Sequence, residues 1–121
     1  MYFGRNYETF LYGLRGDATL QKLGAGNVLD YPPVSPLVKM HSVQKPFKLM
    51  EELVDRFCLP GHLVLDPFCG AGTTLLACIK KGCNAVGFEL DENYYKLAVN
   101  NVVDALKLKD SGLADQIGKD I

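Results

Sequence analysis

The sequence predicts an α/β protein with a mostly parallel sheet flanked by helices, and three observations carry that prediction. Between Pro46 and Ala105 the elements follow as helix, strand, glycine loop, helix, strand, helix. The two candidate strands, His62 to Asp66 and Ala85 to Glu89, are short and apolar enough to be buried. Gly70 and Gly72 lie between the first strand and the helix after it. A strand–helix–strand unit of this kind needs a crossover, so its strands run parallel and a ligand belongs at their carboxyl ends.

Each element has its own justification. Pro46 suits a helix start, and Leu49, Met50, Leu53, Val54 and Phe57 recur behind it at helical spacing. Leu59-Pro60-Gly61 stops that helix. Thr73 to Lys81 reads as the second helix, and Gly82-Cys-Asn84 turns the chain. Asp91 is placed to cap a third helix whose inner face is Tyr95, Ala98, Val102 and Ala105. Upstream, the aromatic run Thr9 to Leu14 reads as a strand and Val28-Leu29 as a shorter one. The expected organisation is one domain: a strand region at 1–16, a long loop at 17–40, a βαβ core at 41–106, and a loosely ordered polar tail at 107–121.

Composition narrows the function. With 121 residues the chain is one domain or part of one, and 48% hydrophobic residues suffice for a packed core. A net charge of −1 argues against a self-sufficient nucleic-acid binder, which carries a basic excess. Cys58, Cys69, Cys78 and Cys83 form no C-x-x-C pair, and only His41 and His62 could join them, so no metal site is expected. No apolar run approaches a membrane span, and the first ten residues lack a signal-peptide core. The expected setting is soluble, reducing and cytoplasmic.

The sharpest signal is Val64-Leu-Asp66 followed by Pro-Phe-Cys-Gly70-Ala-Gly72 and Thr73-Thr74. Glycines at 70 and 72 permit a tight turn and close ligand approach, and the following helix start favours an anion. Glu89, 19 residues after Gly70, ends the second strand, where an acid accepts hydrogen bonds from ribose hydroxyls. An anionic end plus a ribose fits both NAD and S-adenosylmethionine. Leu75 stands where the dinucleotide fingerprint needs its third glycine, and Asp66 before the glycines suits an ammonium group, which NAD lacks. The pattern therefore favours S-adenosylmethionine.

Asp66-Pro-Phe-Cys-Gly-Ala-Gly-Thr-Thr74 resembles the cofactor loop of the DNA adenine-N6 and cytosine-N4 methyltransferases, usually D-P-F-x-G-S-G-T-T, with Ala71 in place of serine. His41-Ser-Val-Gln-Lys-Pro46 resembles that family's H-P-x-Q-K-P segment. Gly87-Phe-Glu-Leu90, Tyr94-Tyr95, Ala98 and Asn101 resemble a third family segment, and Glu8 to Gly16 is similar to a stretch late in the family's catalytic half. The resemblance implies a partial Rossmann-like methyltransferase fold. It implies that Asp66, Phe68, Gly70, Gly72, Thr73 and Thr74 wrap the methionine part of S-adenosylmethionine. Glu89 would hold the ribose, and His41, Lys45 and Pro46 would pack over the cofactor's other side.

The same family flips a base out of double-stranded DNA and receives it in a [D/N/S]-P-P-[Y/F/W] loop. The one Pro-Pro here, in Asp30-Tyr-Pro-Pro-Val34, has its tyrosine before the prolines and lies seven residues from His41, so no catalytic residue is assigned. Tyr31 could still touch DNA or cofactor. The expectation is a cofactor-binding portion of a DNA amino-methyltransferase that works with a homodimer mate or a complementary catalytic half. The rival readings are a non-catalytic cofactor-binding remnant, a nucleotide-dependent oxidoreductase fragment, and a methyltransferase acting on RNA or protein.

Overall fold

The computed structural model describes residues 7–17, 21, 24, 26–37 and 44–119. His41 lies outside them. Helix α1 (Phe47–Phe57) leads to strand β1 (Leu63–Asp66), helix α2 (Thr73–Lys81), strand β2 (Asn84–Gly87) and helix α3 (Glu92–Asp110). A short 3-10 helix, Ala114–Gln116, follows. The strands pair in parallel, with Leu63 opposite Asn84 and Asp66 opposite Gly87. The βαβ order expected from sequence is therefore present, with β2 starting one residue earlier and ending two residues earlier than its apolar pattern suggested.

Local chemistry explains the boundaries. Pro46 sits at the N-cap of α1, not in its first turn, and the extended Cys58 ends the helix with its N–H on the Val54 carbonyl, 2.8 Å away. Gly82, at φ 75°, closes α2 by donating to the carbonyls of Cys78 and Ile79, a conformation that only glycine adopts without strain. The Asp91 carboxylate accepts from the N–H groups of Asn93 (2.9 Å) and Tyr94 (3.0 Å), the cap read from the sequence.

The core gathers Phe47, Val54, Leu76, Ala77, Cys78, Cys83, Ala105 and Ile117. Burying each of the large aliphatic or aromatic side chains is worth about 1.5–3 kcal/mol. Two ion pairs fasten α1 to α2: Lys80–Glu51 and Lys81–Asp55, each at 3.1 Å. The four cysteines are free thiols. Burial foremost, with the neighbouring thiols of Cys83 and Cys58 and the Asp66 carboxylate, pushes the Cys78 thiol up to about 12, so it is a core side chain and not a nucleophile. Among the described residues no helix is long and apolar enough to cross a membrane.

Four expectations are corrected. Neither Thr9 to Leu14 nor Val28-Leu29 forms a strand; the first run has no regular structure and is solvent-exposed, with the Tyr12 ring 5.1 Å from the Phe57 ring. A strand needs a partner edge, and aromatic content alone supplies none. Tyr95 is 54% exposed, so the inner face of α3 is centred on Ala98 and Ala105. The segment after Lys107 is not loose: α3 continues to Asp110, the 3-10 helix follows, and Ile117 is only 2% exposed. Finally, the strands are covered on one face alone. Val64 and Ala85 pack toward the core, while Leu63 (70% exposed), Leu65 (63%) and Phe88 (59%) face solvent.

Candidate functional site

The carboxyl ends of β1 and β2 bring the sequence-predicted residues together. Asp66 ends β1, and Glu89 lies two residues past Gly87, its register partner. The ladder runs on beyond the strands: the Phe88 N–H donates to the Asp66 carbonyl (2.9 Å) and the Cys69 N–H to the Phe88 carbonyl (2.9 Å). The loop Pro67–Gly72 is thereby drawn over the end of β2. Gly70 (φ 52°) and Gly72 (φ 89°) take left-handed conformations that side chains rarely adopt. The Gly72 N–H closes the turn on the Cys69 carbonyl at 2.8 Å.

Glu89 is the hinge of the arrangement. One carboxylate oxygen accepts from the Gly70 N–H (2.8 Å) and the other from the Asp91 N–H (2.9 Å). It thus ties the glycine loop to the cap of α3. A carboxylate offers about four lone-pair directions, so two backbone donors leave room for two more. Asp66 is held by its own turn, its Oδ1 accepting from the Phe68 N–H at 3.1 Å. Burial above all, then the charges of Asp66 and Glu89, push the Cys69 thiol up.

Helix α2 begins at Gly72 with no side-chain cap, and its first turn holds no acidic residue. The N–H groups at that end are the natural partners of an external anion. Thr73 is buried and Thr74 half-buried beside them. Phe68 is 88% exposed and flanks the loop as an apolar wall. The loop region thus carries two carboxylates, acceptors for a cation or hydroxyls, and a positive helix end that favours an anion.

Other expected residues have partners of their own. The Lys45 ammonium pairs with Glu8 at 2.5 Å, and Pro46 is the N-cap of α1. Tyr31 gives its hydroxyl to Glu52 on α1, which is also bound to Arg56, while the Arg56 Nη1 donates to the Gly26 carbonyl at 2.5 Å. Its proline-rich segment is thus anchored to the outside of α1. Two site residues had no assigned role in the sequence reading beyond the family resemblance. Asn101 donates from Nδ2 to the Ala71 carbonyl at 2.9 Å. A Cβ on Gly87 would come within 2.9 Å of Leu75 Cδ1 and 3.0 Å of the Cys69 side chain. The three-residue spacing of Ala98 and Asn101, on one helix face, was the available signal, since Ala98 packs 3.4 Å from the Cβ position of Gly72.

A family model described as DNA methylase, of the N6/N4 class, matches residues 11–100. The chain belongs to this DNA methylase family. It is 38% identical over 80 residues to the Type II methyltransferase M.HindIII of Haemophilus influenzae, covering 66% of this chain and 26% of that protein. It is 35% identical over 80 residues to the DNA adenine methyltransferase YhdJ of Escherichia coli, covering 64% of this chain and 27% of that one. The chain therefore spans about a quarter of the length of these methylases. In structure it is similar to M1.HpyAVI in its SAM complex, with a TM-score of 0.59 and 33% identity over 69% of this chain and 43% of that one. The architecture is accordingly a partial Rossmann-like methyltransferase fold.

Proposed function

We propose that this chain supplies the S-adenosylmethionine-binding portion of a DNA amino-methyltransferase that acts on adenine N6 or cytosine N4. One observation carries the reading: the Glu89 carboxylate grips the Gly70 amide beside the uncapped start of α2. The groups present fit the cofactor. Its carboxylate suits the α2 N–H groups, its ammonium suits Asp66, and its ribose hydroxyls suit the remaining lone pairs of Glu89. Phe68, Gly70, Gly72, Thr73 and Thr74 shape the walls, and His41, Lys45 and Pro46 belong to the outer rim. Bound there, the cofactor supplies an electrophilic methyl group. The protein's part is to orient it toward an extruded base. The similarity to a chain solved with SAM and the match to the DNA methylase model support this reading.

No [D/N/S]-P-P-[Y/F/W] loop occurs in the 121 residues, so we assign base capture to polypeptide other than this segment. Duplex DNA is engaged through that complete assembly. The solvent-facing Leu63, Leu65 and Phe88 support a complementary half or a second copy packed on the sheet, since parallel strands are normally covered on both faces. The missing loop favours one second reading, a non-catalytic cofactor-binding remnant or partner subunit of a split methyltransferase. Methyl transfer to duplex DNA by the purified chain alone eliminates that reading.

Calorimetric titration with S-adenosylmethionine tests the proposal. The wild type binds, and Glu89→Ala weakens binding roughly tenfold or more, the value of hydrogen bonds to a charged group. Binding of NAD without S-adenosylmethionine overturns the assignment.

A further inference from the structure

We infer that Asn101 is a positioning residue that locks the Ala71–Gly72 peptide in its cofactor-accepting orientation. The inference rests on the proposed cofactor site. That peptide is held at both ends, its carbonyl by Asn101 Nδ2 at 2.9 Å and its N–H by the Cys69 carbonyl at 2.8 Å. It immediately precedes α2, whose N-cap is Gly72 at φ 89° and ψ 17°.

The need for a lock follows from glycine itself. Gly72 reaches both signs of φ with little penalty, so the peptide before it is easily turned over. A turned-over peptide would give up the Gly72 N–H bond to the Cys69 carbonyl and aim the Ala71 carbonyl oxygen at that same oxygen, undoing the turn that presents the α2 N–H groups to the anionic end of the ligand. Asn101 opposes this from behind the loop, reaching in from α3, where the neighbouring Ala98 already packs against Gly72. Ala71 is itself buried, so its carbonyl needs a protein partner. The Asn101 bond falls on the Ala71 carbonyl, at the anion-binding end of the site.

The test compares two ligands on the full chain by NMR-detected titration. S-adenosylmethionine carries the amino-acid part, and 5′-methylthioadenosine keeps the nucleoside but lacks that part. Asn101→Ala weakens S-adenosylmethionine binding about five- to tenfold, the worth of one hydrogen bond, and leaves 5′-methylthioadenosine binding within about twofold of wild type. Asn101→Asp, equal in shape but without the donor, shows at least the same selective loss and guards against a variant that does not fold. Equal weakening of both ligands, or no weakening of either, overturns the inference while leaving the cofactor assignment standing. A wild type that binds neither ligand overturns the cofactor assignment itself and the role of Asn101 with it.

Discussion

At the residue scale the site depends on where side chains are absent as much as on where they are present. Glu89 reaches the Gly70 amide because the loop lies flat over the end of β2, and that approach leaves no room at Gly87. An added methyl there meets Leu75 and Cys69 at 2.9–3.0 Å. Gly87→Ala is therefore expected to destabilise the protein by about 1–3 kcal/mol through overpacking, measured by urea denaturation, and to weaken ligand binding as well. The glycines at 70 and 72 were legible because turn chemistry leaves a mark in the sequence. Gly87 and Asn101 were legible only as parts of a family resemblance, since their roles come from contacts across the fold.

At the element scale, helices were easier to read than strands. The apolar periodicity of α1 and α2 and the Asp91 cap are local signals, and the structure places them as expected. Thr9 to Leu14 failed because strand propensity is largely a statement about neighbours, and no strand among the described residues pairs with it. The tail misled for the opposite reason. Its composition is polar, yet Ile117 fits under α1 beside Phe47. Ile117→Ala should cost about 2–4 kcal/mol in a denaturation experiment, whereas a loose tail would show no change. The α1–α2 contact also has a pH signature. Burial works against the Glu51 charge, but hydrogen bonds from Lys80 and Lys48 outweigh it and hold its carboxyl below the usual value. A depressed carboxyl stabilises the fold above the unfolded-state value and loses that contribution as pH falls through the folded-state value. Wild type should exceed Glu51→Gln by about 1 kcal/mol near pH 7, and the gap should close as pH falls through the depressed folded-state value in paired thermal melts.

At the scale of the whole molecule, the sheet is the unfinished part. Two parallel strands are covered by α2 on one face, while Leu63, Leu65 and Phe88 stand in water on the other. The apolar strands read as buried in the sequence, because hydrophobicity reports what a face prefers and not whether anything covers it. Leu65→Asn should lower self-association of the isolated chain in sedimentation velocity and leave its cofactor affinity within about twofold, since Leu65 points away from α2. The central claim, that the glycine loop, the start of α2 and Glu89 form one cofactor cradle, is tested most directly by following backbone amides during titration with S-adenosylmethionine. The account predicts saturable shifts concentrated at Gly70, Gly72, Thr73, Thr74, Glu89 and Asp91. Shifts confined to amides elsewhere in the chain, with those six unmoved, would contradict it.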